Sequence, residues 1–79
     1  MKDNTWENTA ASLLKAELAK RGMKYPDLEE KLKEIGGNYN CSVIRQKLAR
    51  GTFTAAFLLQ CLKAIGVKNL NLTEYFNEN

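Results

Sequence analysis

A single apolar stretch, FTAAFLLQCLKAIG at residues 53–66, most constrains how this chain folds. Between positions 55 and 65 only Gln60 and Lys63 are polar, and a helix that is apolar on nearly every side is stable in water only when neighbours enclose it. The stretch is far shorter than the roughly 18 to 20 apolar residues that span a bilayer. The sequence therefore predicts a buried central helix that is not a membrane span, with Leu59 among its core residues.

The 79 residues are predicted to form one domain, residues 1–79. A chain of this size buries only about 60% of its unfolded surface, which leaves little room for a deep active-site cavity. It contains Cys41 and Cys61 but no His, and the two cysteines are too far apart in sequence for the close pair of a zinc site. We expect both to be reduced core residues, and we expect no metal and no other cofactor.

The N-terminal residues MKDNTWEN lack an apolar segment, which a secretion signal requires. Because reduced cysteines are also typical of the cytosol, we expect a cytoplasmic protein. We do not expect an enzyme, since no His is present to act as a base near neutral pH. The pair Gly36-Gly37 is not followed by the Lys-Ser/Thr sequence of a phosphate-binding loop.

The formal net charge of +3 is modest, but its distribution is uneven. No acidic residue lies between Glu34 and Glu74, an interval that contains five cations: Arg45, Lys47, Arg50, Lys63 and Lys68. This pattern predicts an anionic partner for the second half of the chain. The alternative is a chance excess of basic residues on an ordinary solvated surface.

Glycines follow each segment with helical periodicity, and no run alternates apolar and polar residues as a strand does. The sequence predicts an all-α fold, a compact bundle of five helices at about residues 5–21, 26–35, 41–50, 54–65 and 72–76. The apolar stripe of helix one is interrupted at Glu17. The short fifth helix is expected to cover the open end of the core.

Polar residues before several helices are predicted caps. Asn4 and Glu7 have the spacing of a capping box at the start of helix one. Helix three is expected to be capped by Asn38 or Asn40, and helix four by Thr54.

Helices two and three are joined by the brief turn 36–40, which is typical of a helix-turn-helix. On a helical wheel Cys41, Ile44 and Leu48 cluster on the inner face of helix three. Its outer face then carries Ser42, Val43, Gln46 and Arg50.

Each residue type on that outer face has a use in a DNA major groove. Gln46 pairs with an adenine edge, Ser42 and Asn40 bond to several base edges, and Val43 contacts a thymine methyl. The predicted phosphate contacts lie on helix three, at the start of helix two and in the turn after helix three: Lys24, Tyr25, Arg45, Lys47, Arg50, Thr52 and Thr54.

Residues 21–76 resemble the five-helix DNA-binding domain of the Cro and lambda-repressor class of bacterial regulators. The resemblance rests on a Leu-rich second helix with Leu28 and Leu32, on Arg50-Gly51 after helix three, on the apolar fourth helix ending Ile-Gly-Val, and on the leucine-rich segment 70–76. It implies a lambda-repressor-like fold that binds double-stranded DNA through helix three. Tyr25 stands where that class usually has a Gln that helps to hold a phosphate.

A narrower resemblance is carried by LLKAELAKRGMKYPDLEEKL and ARGTFTAAFLLQCLKAIG. These segments resemble a small bacterial domain family of uncharacterised function, often found as stand-alone short proteins. That resemblance implies no particular activity.

The sequence as a whole predicts sequence-specific duplex DNA binding by a small transcriptional regulator that acts through operator occupancy. It also predicts a homodimer, paired either through Trp6 and the start of helix one or through the fourth and fifth helices. The alternative is a small helical protein-interaction module or adaptor without physiological DNA binding. That alternative is motivated by the surplus of apolar residues on helix four.

Overall fold

A computed structural model describes residues 5–76, and within this range the chain is helical with no strand. The elements are α1 (Trp6–Lys20), α2 (Tyr25–Glu34), α3 (Cys41–Arg50) and α4 (Ala55–Ala64), followed by a 3₁₀ turn at Leu72–Glu74. The predicted all-α class is confirmed for the described residues. None of these helices is long and apolar enough to cross a membrane.

The predicted count of five helices is wrong for the described residues, which contain four α-helices. The fifth segment forms only a short 3₁₀ turn, where the Asn71 side chain accepts a hydrogen bond from the Thr73 backbone N–H at 3.2 Å. Asn and Thr side chains compete with a helix for backbone groups in this way. The turn also leaves Leu72 and Phe76 exposed at 44% and 42%, so both side chains remain largely outside the core.

Side-chain caps define where three helices begin. The Thr5 hydroxyl accepts from the Asn8 N–H at 3.1 Å, so Thr5 caps α1; the predicted cap Asn4 lies outside the described residues. Asn40 accepts from the Val43 N–H at 2.9 Å, which resolves the choice between Asn38 and Asn40. Thr54 caps α4 as predicted, accepting from the Phe57 N–H at 3.0 Å.

The core is built from one apolar stripe on each helix, since α1 and α2 each pack against both α3 and α4. Its buried cluster consists of Leu14, Leu18, Leu28, Leu32, Ile44, Leu48, Phe57, Cys61 and Ile65. Both cysteines are free, and burial raises the pKa of the Cys61 thiol to about 12. Cys61 is therefore a protonated core side chain, as expected. Cys41 was also expected in the core but is only partly buried and is not part of the core cluster.

The prediction that α4 is enclosed on nearly every side is wrong. Phe57 and Cys61 are buried, whereas Leu59 is 65% exposed. At 100° per residue Leu59 points about 160° to 200° away from both of those side chains. Replacing Leu59 with Ala is therefore expected to change stability by no more than about 0.5 kcal/mol, not by the larger cost of a core leucine.

Gly51 joins α3 to α4 and brings the start of α1 against this turn. Its φ is +69°, a left-handed conformation that favours glycine. A Cβ at this position would lie 2.1 Å from the backbone carbonyl oxygen of Glu7. The close approach of α1 to the end of α3 thus depends on a residue without a side chain.

Candidate nucleic-acid interface

The outer face of α3 is open to solvent. Ile44 and Leu48 hold the helix in the core with no exposed surface. The four residues predicted to face outward are all exposed: Ser42, Val43, Gln46 and Arg50. The structure brings them together on one surface next to Asn40, which is also exposed but whose side-chain oxygen is bonded to the Val43 N–H.

A carboxylate that the sequence reading missed lies at the start of α3. Glu29 of α2 accepts a hydrogen bond from the Cys41 backbone N–H at 3.1 Å and forms an ion pair with Lys33 at 3.2 Å. Hydrogen bonding to Cys41 and to Lys33 lowers the pKa of Glu29. The first turn of α3 is therefore already partnered by an anion, and phosphate contacts are better supplied by side chains further along.

Tyr25, at the start of α2, forms a joint surface with Arg45 of α3. The Arg45 guanidinium carbon lies 5.6 Å from the centroid of the Tyr25 ring, a distance at which a cation and an aromatic face attract. A surface pocket of about 370 Å³ is lined here by Lys24, Tyr25, Pro26 and Arg45. Its lining has two cations and no carboxylate.

The backbone at the start of α2 offers few free donors. The Lys24 N–H donates to the Asp27 carboxylate at 2.9 Å, and Pro26 has no N–H. The predicted phosphate contact at this helix start therefore depends on the Lys24 and Arg45 side chains.

Lys47 lies on the α4 side of α3 and is half-buried. Its ammonium is 5.3 Å from the centroid of the Phe57 ring and 5.9 Å from that of Tyr39. The Tyr39 ring packs edge-on against the Phe57 ring, with centroids 4.9 Å apart. Its hydroxyl donates a hydrogen bond to Gln60 Oε1 at 3.0 Å. The Lys47 charge is thus directed toward an aromatic cluster rather than straight out from the helix.

Three further predicted contacts follow the chain across the turn from α3 to α4. Arg50, Thr52 and Thr54 are all exposed. The Thr54 hydroxyl caps α4, so as an acceptor it is already used. Arg50 is the last residue of α3 and lies on its outer face, and Thr52 follows it directly after the Gly51 turn.

Within residues 5–76, the cations of the second half of the chain form no ion pair with an acidic residue. Every ion pair found in residues 5–76 involves Lys20, Arg21, Lys31 or Lys33. The cations from Arg45 to Lys68 belong to none of these pairs. Residues 5–76 contain no cluster of His, Cys, Asp and Glu that could hold a metal ion.

A second group of interacting polar side chains, centred on Glu17 of α1, was missed by sequence reasoning. Glu17 is only 4% exposed, and its carboxylate accepts hydrogen bonds from the Tyr75 hydroxyl, from Arg21 Nη1 at 2.8 Å and from Lys20 Nζ at 3.1 Å. The Tyr75 hydrogen bond is the main reason that the pKa of Glu17 is lowered, with Lys20 and Arg21 acting in the same direction against the effect of burial. The one sequence signal for this group was Glu17 itself, a charged residue within the otherwise apolar stripe of helix one.

Residues 6–70 match the family model described as Domain of unknown function (DUF6471). The chain belongs to this family. The matched region contains all four helices and all the proposed DNA contacts, and it ends before Tyr75. The predicted resemblance to a small domain family of uncharacterised function is thereby confirmed, whereas the comparisons add no support for the Cro and lambda-repressor resemblance. Searches of curated proteins and of solved structures gave no match.

Proposed function

We propose that this DUF6471 domain binds double-stranded DNA in a sequence-specific manner, with α2 and α3 acting as a lambda-repressor-like helix-turn-helix. The observation that carries the proposal is the outer face of α3, which is exposed and mostly polar and is flanked by cations that form no ion pair with any carboxylate of residues 5–76. A buried apolar stripe holds this helix firmly against the core. A rigid helix with a polar outer face is the element that enters a major groove.

The side chains on this surface divide into base contacts and phosphate contacts. Gln46 is the central base contact, because its amide both donates and accepts along an adenine edge. Ser42 and Asn40 supplement it near the start of α3, and Val43, which is 36% exposed, contacts a thymine methyl. These contacts select a sequence but supply little of the affinity.

Phosphate contacts flank the base contacts on two sides. Lys24, Tyr25 and Arg45 form one group around their shared pocket, and Arg50 with Thr52 forms the other after α3. Lys47 and Thr54 contribute less, because the first is drawn toward aromatic rings and the second caps α4. Binding of this kind releases counterions and therefore weakens as the salt concentration rises.

The proposed protein is a small non-catalytic transcriptional regulator that acts by occupying its operator. One copy makes few base contacts, so we propose a homodimer on half-sites about one helical turn, roughly 34 Å, apart. Sedimentation at tens of micromolar, with and without operator DNA, tests the dimer. A strictly monomeric profile under both conditions would contradict it.

The experiment that tests DNA recognition is selection of bound duplexes from a random library at about 150 mM salt, followed by sequencing of the selected duplexes. We expect an enriched motif, and a palindrome with half-sites one turn apart would match the dimer. A Gln46→Ala variant selected in parallel should lose preference at one base position. Weak, salt-sensitive binding without any enrichment would contradict sequence-specific recognition.

A second candidate function is that of a protein-interaction module. It is favoured by one observation, the exposure of Trp6 at 77% and of Phe76 at 42%, whose rings are in contact. Large apolar side chains that adjoin on a surface are typical of a binding site for another protein. If the DNA selection fails, changing Trp6 to Ser should abolish binding of an isolated partner while leaving the helical content unchanged.

A further inference from the structure

The segment 71–76, named here the C-terminal strap, is attached to the rest of the molecule only by side chains in the described part of the chain. Its backbone hydrogen bonds are internal: the Glu74 N–H donates to the Asn71 carbonyl, and the N–H groups of Tyr75 and Phe76 donate to that of Leu72. No strap residue belongs to the buried core cluster or packs against it. Long side chains bridge the space between the strap backbone and α1.

The main attachment is the buried carboxylate of Glu17. It accepts the hydrogen bond of the Tyr75 hydroxyl, while Lys20 donates both to Glu17 at 3.1 Å and to Glu74 of the strap at 2.6 Å. The Lys20 ammonium also lies 5.5 Å from the centroid of the Tyr75 ring. Arg21 completes the group by donating to Glu17 from the C-cap position of α1.

A second attachment joins the end of the strap to the start of α1. The rings of Trp6 and Phe76 meet edge to face with centroids 6.1 Å apart. Both rings are substantially exposed, Trp6 at 77% and Phe76 at 42%. This contact therefore buries little apolar surface and is weak without the Glu17 group.

We infer that the C-terminal strap opens and closes on α1 as a unit while the four-helix body stays folded, and that the Glu17 carboxylate locks it closed. Segments with few buried apolar contacts open at a lower free energy than the core. The strap has this property, because the core cluster is complete without it. The closed strap covers the face of α1 that carries Glu17, and the open strap exposes it.

The charges around Glu17 make the lock sensitive to acid. Lys20 and Arg21 face the carboxylate from α1, and Tyr75 faces it from the strap, with Glu74 joined through Lys20. Protonation of Glu17 removes the anion that these groups surround. The strap is expected to open as the pH falls below the ordinary range of a glutamate, before the helices unfold.

Hydrogen exchange in the full chain, followed residue by residue by NMR, tests this inference. In the wild type we expect the Tyr75 and Phe76 amides, which are hydrogen-bonded only inside the strap, to be protected above the level of an unstructured peptide but less than the Leu18 and Leu48 amides. The variant Glu17→Gln keeps the size of the side chain and removes its charge. It should raise exchange at Tyr75 and Phe76 by about tenfold, roughly the effect of losing one charged hydrogen bond, while the Leu18 and Leu48 amides remain more protected than those of the strap.

Two further variants keep the test decisive. Tyr75→Phe removes only the hydroxyl and should raise strap exchange in the same direction, and it serves as the main test if Glu17→Gln does not fold. Glu30→Gln, which alters an exposed carboxylate on α2, is the matched control and should change nothing in the strap. Trp6 is the sole tryptophan, so during acid titration its emission should change before the helical circular dichroism is lost.

Three results would overturn the inference. Strap amides that exchange at the unstructured rate in the wild type would mean that no closed strap exists. Strap amides that are as protected as the Leu18 and Leu48 amides in the wild type would mean that the strap opens only when the whole chain unfolds. Unchanged strap exchange in both Glu17→Gln and Tyr75→Phe would mean that Glu17 is not the lock.

Discussion

Two charged regions of this molecule use the same residue types in opposite ways. On α1 and the C-terminal strap, Lys20 and Arg21 bind the carboxylates of Glu17 and Glu74. On and around α3, no described cation is paired with a carboxylate after position 44. The difference indicates which charges hold the structure together and which are available to a partner.

Aromatic rings replace carboxylates in the second region. Arg45 lies over Tyr25 and Lys47 over Phe57. A ring attracts a cation through its quadrupole without neutralising the charge. The α3 region therefore orders some of its cations and still presents a positive potential, as a DNA-binding surface requires.

The largest expected effect concerns Gly51, where the two regions meet. Gly51→Ala places a Cβ 2.1 Å from the Glu7 carbonyl oxygen at a φ of +69°. We expect a loss of about 2–6 kcal/mol in unfolding free energy, from left-handed strain together with overpacking. Urea denaturation followed by circular dichroism measures this change.

Gly22→Ala is the matched control for that substitution. Gly22 also has a positive φ, at +65°, but no atom lies within 4 Å of the Cβ position. Gly22→Ala should therefore lower the unfolding free energy only by the cost of the left-handed conformation, about 1–2 kcal/mol. Equal losses for the two variants would show that α1 does not pack tightly on the α3–α4 turn.

The ion pairs between α1 and the C-terminal strap are expected to make the unfolding free energy depend on pH in the acid range. The pKa of Glu17 is lowered in the folded chain below its ordinary value of 4.5, chiefly by the Tyr75 hydrogen bond. The contribution of Glu17 to the unfolding free energy is therefore fully present above about pH 4.5 and is lost as the pH falls through the lowered pKa of the folded chain. Glu17→Gln should cost about 1–2 kcal/mol at pH 7.

Unfolding free energies of the wild type and Glu17→Gln, measured from pH 7 to pH 3, check this dependence. The difference between the two should shrink below about pH 4.5, because the Glu17 carboxylate is protonated first in the unfolded chain and, at lower pH, also in the folded chain. Other carboxylates titrate in both proteins and cancel in the comparison. A difference that stays constant with pH would contradict the paired role of Glu17.

In the unpaired region, Gln46→Ala is expected to act on recognition and not on stability. Removing the amide should lower the preference for one base position in the selected operator by about 1–3 kcal/mol. Affinities for operators that differ at single positions, measured at one salt concentration, give this value. Equal weakening on every operator would show that Gln46 does not read a base.

The smallest expected effect is that of Lys47→Met. Because the Lys47 ammonium lies over Phe57 and Tyr39, it should contribute less to phosphate binding than the exposed Arg50. The salt dependence of DNA affinity should therefore change less in Lys47→Met than in Arg50→Met. The reverse order would mean that Lys47 leaves the rings when DNA binds.

The positions of the helices could be predicted from the sequence, because their signals are local. Asn40 and Thr54 act as caps where their spacing indicated, and Gly51 ends α3 with a positive φ. The outward direction of Ser42 and Gln46 also followed from helical periodicity. Each of these features depends on residues no more than about one turn apart.

Features that depend on tertiary packing could not be predicted. Whether Leu59 is covered depends on where the other helices lie, and they leave it exposed. The partners of Glu17 include Tyr75, which is 58 positions further along the chain. Likewise, Glu29 reaches the start of α3 only because α2 and α3 pack together.

The most direct test of the account compares the salt dependence of operator binding in two double variants of equal charge. Arg45→Gln/Arg50→Gln removes two unpaired cations near α3, and Lys20→Gln/Arg21→Gln removes two paired cations on α1. For the first we expect the slope of log affinity against log salt to fall in magnitude by about 1.8, or about 0.9 for each lost phosphate contact, and for the second we expect the wild-type slope. Equal slopes in the two double variants would contradict the proposal that the unpaired cations around α3 form the DNA-binding surface.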